Sequence, residues 1–205
     1  MAYNVIIVED QGLPRAFFEN IVRNSAEYTL AKSFRSAEGV LDYCKNNPVD
    51  LVLMDLSLGS GGDGLTLSEQ IKKYDSGIKI LVVTQMPEAS YLKRAKQIGV
   101  DSFWYKDVVE LSLLGVMERT VNGEHIYPDK PPVVKIGLSD SSCFTERELD
   151  VLRLLTTGIS DSEIAEKLNI SYDTVRTHIK HMTAKTGLSK VRLAIEARAA
   201  GIAIG

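Results

Sequence analysis

The chain has 205 residues, 44% hydrophobic and 25% charged, with a net charge of −3; at about 100–200 residues per domain this suits two small domains better than one large one. The composition excludes wholesale disorder and collagen-like repeats, and no apolar stretch approaches the roughly 20 residues that span a bilayer. Cys44 and Cys143 lie far apart without CxxC or Cys/His spacing, so they read as reduced packing residues and not as a disulfide framework or a zinc site.

From the N-terminus, Met1-Ala2-Tyr3-Asn4 runs directly into an apolar stretch with no basic region or cleavage site, which predicts a cytoplasmic protein with no membrane partner. Short apolar runs then alternate with amphipathic segments: VIIV (5–8), 13–25, TLAKSF (29–34), 37–46, DLVLM (50–54), 65–74, KILVV (79–83), 88–98, DSFWY (101–105) and 109–121. Continuous apolar strands separated by helices of this length predict βαβ units, hence an α/β fold with a doubly wound, five-stranded parallel sheet covered on both faces. Residues 122–142 hold three of the six prolines, with Gly123 and Gly137, and read as a semi-rigid linker. Beyond it, residues 143–205 carry no strand signal. Thr145 with Glu148 and Ser160 with Glu163 each form an S/T-x-x-E capping box, and Ser171 is a candidate N-cap, so this second domain reads as small and all-α.

Charge divides unevenly between these parts. Residues 1–121 carry 13 Lys/Arg against 16 Asp/Glu, whereas residues 143–205 carry 9 against 8. Within the latter, Thr174 to Arg192 contains Arg176, Lys180, Lys185, Lys190 and Arg192 and no acid, a strip that points to a polyanion partner.

Ligands of doubly wound parallel sheets sit beyond the carboxyl ends of the strands. There the first strand ends in Glu9-Asp10, the third in Asp55 and the fourth in Thr84, and the fifth runs into Lys106. Taken singly, each is an ordinary cap, turn or surface residue. Together they place three carboxylates, a hydroxyl and an ammonium on one edge. Clustered carboxylates repel unless a cation joins them, and hard oxygen ligands suit Mg²⁺. Such an ion also lets a carboxylate attack phosphorus while Lys106 and Thr84 hold the phosphoryl oxygens, with the central Asp55 as acceptor.

Through Glu9-Asp10, VLMDLSL, LVVTQM and GVDSFWYKD, residues 1–121 resemble the CheY-like receiver domain of two-component response regulators. The resemblance implies that the backbone carbonyl of Ser57 completes the metal shell and that Phe103 is the switch aromatic, a position that fits plain strand core equally well. Two features depart from the family. The segment from Asp55 to Gly64 is one residue longer and lacks the usual proline, which predicts a more mobile loop, and Gln85 replaces the small residue after Thr84, where it could cover the acceptor.

In the second domain Ile164, Ala165 and Leu168 form an apolar face, Asn169-Ile170-Ser171 a turn, and Val175, Ile179 and Met182 recur at i, i+4, i+7. That is helix-turn-helix spacing. The opposite face carries Arg176, Thr177 and Lys180, with His181 at its margin, and has the chemistry to enter a major groove. Residues 145–187 resemble the LuxR/GerE-type helix-turn-helix, matching it at Thr145, Arg147, Glu148, Val151, Gly158, Ser160, Glu163, Ile164, Ala165, Leu168, Ile170, Ser171, Thr174, Val175, His178, Lys185 and Gly187. The resemblance implies base contacts from Arg176, Thr177 and Lys180, phosphate contacts from Thr174, His178, Lys185 and Lys190, and dimerisation through the last helix, Val191 to Ala200. His178 and His181 have no third ligand for a metal.

A receiver followed by this module resembles a NarL/FixJ-family response regulator. The implied function is that of a transcription factor, not an enzyme, binding double-stranded promoter DNA as a homodimer when a cognate sensor histidine kinase has phosphorylated Asp55. Thr84 and Lys106 would then move inward, Phe103 would rotate toward Thr84, and the surface around residues 84–110 would change dimerisation or release the second domain. An aspartyl-phosphate hydrolase would need an acid where Ser57 stands, and a flavodoxin-like cofactor site would not place Glu9 and Asp10 in its phosphate loop. A phosphorylation-independent regulator of the same architecture stays open as the alternative.

Overall fold

In the computed structural model, residues 2–59, 62–87, 89–106 and 112–202 are described. The expected starts of the helices at residues 88 and 109, the tip of the loop at residues 60–61, and residues 203–205 lie outside them.

The first unit alternates strand and helix: β1 (Tyr3–Val8), α1 (Gly12–Arg23), β2 (Tyr28–Phe34), α2 (Val40–Asn46), β3 (Leu51–Met54), α3 (Gly64–Tyr74), β4 (Lys79–Thr84), α4 (Ala89–Ile98), β5 (Ser102–Tyr105) and α5 (Leu113–Val121). All strand pairs are parallel, in the order β2-β1-β3-β4-β5. Because side chains alternate across a strand, one face offers Val5, Ile7, Leu51, Leu53, Leu81 and Val83, which pack with Phe18, Val22, Val116 and Met117. The other face offers Ile6, Val8, Val52, Met54, Ile80 and Val82, every one fully buried. Two covered faces are why these strands read as unbroken apolar runs. Helix α2 starts at Val40, later than the expected residue 37, because its N-cap Gly39 takes a left-handed conformation (φ 72°) that breaks the turn before it.

The order reverses between β1 and β3, since the chain winds from β1 out to β2 and then back past β1. A crevice opens at such a switch, and the residues directly after β1 and β3 line it.

The segment read as a linker, residues 122–142, is ordered at both ends. Residues 124–127 bond to the strand β5 region, with Phe103 N donating to Ile126 O at 2.8 Å. Residues 135–140 form a hairpin of β6 (Lys135–Ile136) and β7 (Ser139–Asp140), whose Ile136 is fully buried in the core of the second unit. The two compact units divide between Pro131 and Pro132, so only a short proline-containing stretch is free to act as a tether.

The second unit carries α6 (Glu146–Thr156), α7 (Asp161–Leu168), α8 (Tyr172–Thr186) and α9 (Lys190–Ala199) on that hairpin. Both capping boxes form, at Thr145/Glu148 and Ser160/Glu163, and Ser171 Oγ accepts from Thr174 N. Asn169 closes α7 in the left-handed conformation (φ 52°), unique among the described non-glycine residues, and so sets the turn into α8. Val151, Leu152, Ile164, Val175, Ile179, Met182, Leu193 and Ala197 fill the core. No described helix is long and apolar enough to cross a membrane.

Glu148 does more than cap. Its buried carboxylate accepts from Thr145 N (2.8 Å) and from Lys185 Nζ (2.7 Å), which also reaches the carbonyl of Cys143 at 2.9 Å, so one ammonium ties the end of α8 to the start of α6. Burial opposes ionisation, yet the Lys185 and Thr145 donors together hold the Glu148 carboxyl below the ordinary range. A carboxyl held low stabilises the fold above its unfolded value and loses that contribution as pH falls through the folded one. Lys185→Ala is therefore expected to cost about 1–2 kcal/mol near neutral pH, less than for a fully buried pair because Lys185 keeps a third of its side chain in water. Urea unfolding at pH 7 and in acid checks it. The cost should shrink in acid, and an equal cost at both would contradict the tie.

Candidate functional site

The crevice between β1 and β3 is built by backbone register before any side chain is considered. Glu9 N donates to Phe34 O (3.0 Å), Asp55 N to Val8 O (2.9 Å) and Lys106 N to Thr84 O (2.9 Å), so each residue is fixed at the first position past its strand. Glu9, Asp55 and Thr84 are buried, at 0%, 3% and 1% exposure. Oxygens of Glu9, Asp10 and Asp55 all lie within 4.8 Å of one another. The Lys106 ammonium, itself nearly buried, sits 2.6 Å from Glu9 Oε2 and 3.2 Å from Asp55 Oδ2.

One cation does not balance three carboxylates here. Asp55 Oδ1 accepts from Leu56 N (2.8 Å), but burial, reinforced by the Glu9 charge, outweighs Lys106 and pushes its carboxyl up to about 7. Asp10 Oδ1 is buried and has no hydrogen-bond partner among the described residues. A buried carboxylate oxygen of this kind facing two other acids favours added positive charge, and the all-oxygen donor set fits a hard divalent ion.

Three further residues shape the pocket, and the sequence did not single out their roles. Arg15, from the first turn of α1, donates through Nη1 to the carbonyls of Glu9 (3.0 Å) and Asp10 (3.3 Å), and so holds the backbone of the acidic turn. Gly64 starts α3 so close to the acceptor that a Cβ there would lie 1.9 Å from Asp55 O. The Asp-Gly pair reads as a turn in sequence, and this contact is visible only in space. Arg94, from α4, bonds to Asp63 Oδ2 (2.6 Å) and Thr66 Oγ1 (2.8 Å), clamping the N-terminus of α3 to α4.

The loop after Asp55, expected to be mobile, is pinned at its described ends. Leu56 and Leu58 are buried, and Ser57 and Asp63 pair across an antiparallel bridge. The associated bond runs from Gly64 N to Leu56 O (3.0 Å) and so does not engage the Ser57 carbonyl. Gln85 is exposed just beyond Thr84. Phe103 is 1% exposed, with its ring against Tyr105 and Tyr127.

On the second unit α8 buries Val175, Ile179 and Met182 and exposes Arg176, Thr177, Lys180 and His181, as its spacing predicts. The Arg176 guanidinium lies 5.9 Å from the ring of Tyr172, and Tyr172, Arg176, Thr177, Lys180 and Lys190 line one shallow groove. Thr174 and His178 are half-buried at its flank, and the Thr174 hydroxyl is 2.8 Å from that of the N-cap Ser171. Two of the lysines expected at phosphates also form ion pairs within this unit. Lys185 is held by Glu148, and Lys190 Nζ is paired with Asp161 Oδ1 at 2.6 Å. Their spacing in sequence could not show this, because both carboxylates come from other helices.

Comparison with known proteins matches residues 5–117 to the response regulator receiver domain and residues 142–197 to the bacterial regulatory proteins of the luxR family. The chain is a two-component response regulator of the LuxR family. This response regulator is 28% identical to the Fimbriae Z protein of Escherichia coli K12 over 194 residues, 92% of either chain, and 28% identical to the transcriptional regulatory protein DesR of Bacillus subtilis, covering 89% of each. In fold it is similar to RcsB from Salmonella enterica serovar Typhimurium bound to a promoter, with a TM-score of 0.61 and 21% identity, covering 97% of this chain and 100% of that one. The family consists of transcription regulators, and the regulator's C-terminal unit is a LuxR-type DNA-binding domain.

The raised Asp55 carboxyl has a sign that can be tested. A group raised in the folded state stabilises below its unfolded value, about 3.8, and that contribution is lost as pH rises through about 7. In metal-free protein Asp55→Asn should therefore raise the thermal midpoint most at pH 8, by less than half as much at pH 5, and leave it nearly unchanged only near pH 3, as followed by circular dichroism. A destabilised variant at pH 8 would show that Lys106 dominates the pocket instead.

Proposed function

We propose that this response regulator is switched by phosphorylation of Asp55 and that the switch controls binding of double-stranded DNA. The observation that carries the reading is the buried Lys106 ammonium shared by Glu9 and Asp55, beside an Asp10 oxygen with no partner among the described residues. Glu9, Asp10, Asp55 and the Ser57 carbonyl are the ligands we assign to Mg²⁺, which when bound supplies positive charge against the incoming phosphoryl oxygens.

An ionised Asp55 oxygen attacks phosphorus of a phosphohistidine on a sensor kinase. The new O–P bond forms as the N–P bond to the donor breaks, and the electron pair leaves with the imidazole. The pocket positions Asp55 for this transfer. Gly64 leaves space at the acceptor backbone, and Leu56 N–H fixes one carboxylate oxygen. Lys106 is within reach of a phosphoryl oxygen on Asp55, and the Thr84 hydroxyl comes from the neighbouring strand end. Movement of Thr84 and Lys106 toward the phosphoryl group, with rotation of Phe103, changes the surface of the receiver.

The output is carried by Arg176, Thr177 and Lys180 as base contacts, with Thr174 and His178 at the phosphates. Lys185 and Lys190, which also pair with Glu148 and Asp161, keep a third or more of their side chains exposed and complete the phosphate contacts. RcsB and its DNA complexes support this use of the module by similarity of fold. Val191 and Ile195, 68% and 62% exposed one turn apart on α9, give the apolar edge through which two copies pair on a two-fold DNA site. The cytoplasm is where such a regulator meets both its kinase and DNA.

Incubation with Mg²⁺ and acetyl phosphate should add one phosphoryl mass to the protein, and Asp55→Ala should abolish it. Footprinting with and without the donor should show tighter binding of a two-fold site after phosphorylation, with Lys180→Ala losing about 1–3 kcal/mol at that site and relaxing its sequence preference. Labelling that persists in the Asp55 variant would sink the acceptor assignment. Identical footprints of equal affinity would establish the phosphorylation-independent regulator in its place.

A further inference from the structure

The chain that leaves α5 turns back along the outer edge of β5. Gly123, at φ 90°, reverses its direction, and Glu124 N donates to Arg119 O at 2.9 Å. Phe103 N then donates to Ile126 O (2.8 Å), Ile126 N to Ser102 Oγ (3.1 Å), and the Tyr127 hydroxyl to Val100 O (2.6 Å). His125 Nδ1 lies 3.0 Å from Asp101 O. The Ser102 hydroxyl is shared with Thr120 of α5 at 2.7 Å, so strand, helix and returning chain meet at one buried group. As β5 is the last strand of the sheet, residues 124–127 cover an edge whose backbone groups would otherwise face water.

The strap also touches the switch. The ring of Tyr127 stacks on that of Phe103 with centroids 6.5 Å apart and planes at 30°, and Lys96 of α4 lies 4.9 Å from the Tyr127 ring. Phe103 is thus held by a residue that belongs to the connection between the two units.

We propose that residues 124–127 are a releasable strap and that Tyr127 is the positioning residue that couples the ring of Phe103 to the length of the tether. The proposal rests on the pocket being a phosphorylation switch. A Phe103 ring turned toward Thr84 no longer stacks on Tyr127, and the strap loses the packing that backs its hydrogen bonds. With the strap closed, the free tether runs from Pro128 to Val133, because Val134 N is already bonded to Ser141 Oγ and Ile136 is buried in the second unit. Six residues reach at most about 20 Å, and ten residues, counted from Glu124, reach about 35 Å. Release therefore widens the range over which the DNA-binding unit can find its counterpart on a second copy, without any new contact.

Hydrogen exchange read by mass spectrometry on the full chain, alone and with Mg²⁺ and beryllofluoride, tests this. The mimic should slow exchange in the segments holding Leu56 and Lys106 and speed it at least about tenfold in those holding Phe103 and Ile126. Tyr127→Ala should speed the latter without the mimic, with β1 and β3 as protected as in the wild type. Tyr127→Phe, which keeps the stacking and loses only the bond to Val100 O, should fall between and serves if the alanine variant does not fold. Pocket segments that slow while Phe103 and Ile126 stay unchanged would overturn the strap alone. Pocket segments that ignore the mimic would overturn the switch reading and the strap with it.

Discussion

A single ammonium between two buried carboxylates governs the receiver unit. Lys106 Nζ touches both Glu9 and Asp55, which come from strands on opposite sides of the chain reversal, and it reaches them from a third strand end. Removing charges from water is costly, and a lone lysine leaves this cluster under-compensated: Asp55 is driven toward its neutral form, and an oxygen of Asp10 goes without a partner among the described residues. The pocket is therefore built to gain from added positive charge and from a group that spreads negative charge over more oxygens. A divalent ion and a phosphoryl group do these two things. The cost of the cluster is offset by the sheet beneath it, which buries apolar side chains on both faces.

The second unit solves a different problem with the same kind of bond. It is too small for its core alone to carry much stability, so it closes its helix ends with side chains. Glu148 caps α6 and recruits Lys185 from α8, Lys190 pairs with Asp161 across from α7, and Asn169 and Gly187 end helices in the left-handed conformation. Both lysines keep a third or more of their side chains in water. With Val175, Ile179 and Met182 buried, α8 presents Arg176, Thr177, Lys180 and His181 outward.

Much of this was legible in the sequence for identifiable reasons. Strands buried on both faces must be apolar throughout, so VIIV, LVLM and ILVV announced a parallel sheet, and its carboxyl ends located Glu9, Asp10, Asp55, Thr84 and Lys106. Capping boxes are local, and both form as read. What the sequence could not show depends on contacts between distant segments. Prolines at 128, 131 and 132 suggested a linker over residues 122–142, but Ile126, Tyr127 and Ile136 find apolar and hydrogen-bonding partners that composition cannot reveal. Lys185 looked like a free cation because its carboxylate lies 37 residues away. The closeness of Gly64 to Asp55, and the hold of Arg15 on the acidic turn, are likewise facts of space.

Isothermal titration of Mg²⁺ in two buffers of different ionisation enthalpy tests the charge imbalance in the pocket most directly. With Asp55 near pKa 7, binding should release close to one proton at pH 6 and almost none at pH 8, and the affinity should be about tenfold tighter at the higher pH. Binding with no proton release at pH 6, or with equal affinity at both, would mean that Asp55 is already ionised and that Lys106 alone balances the cluster.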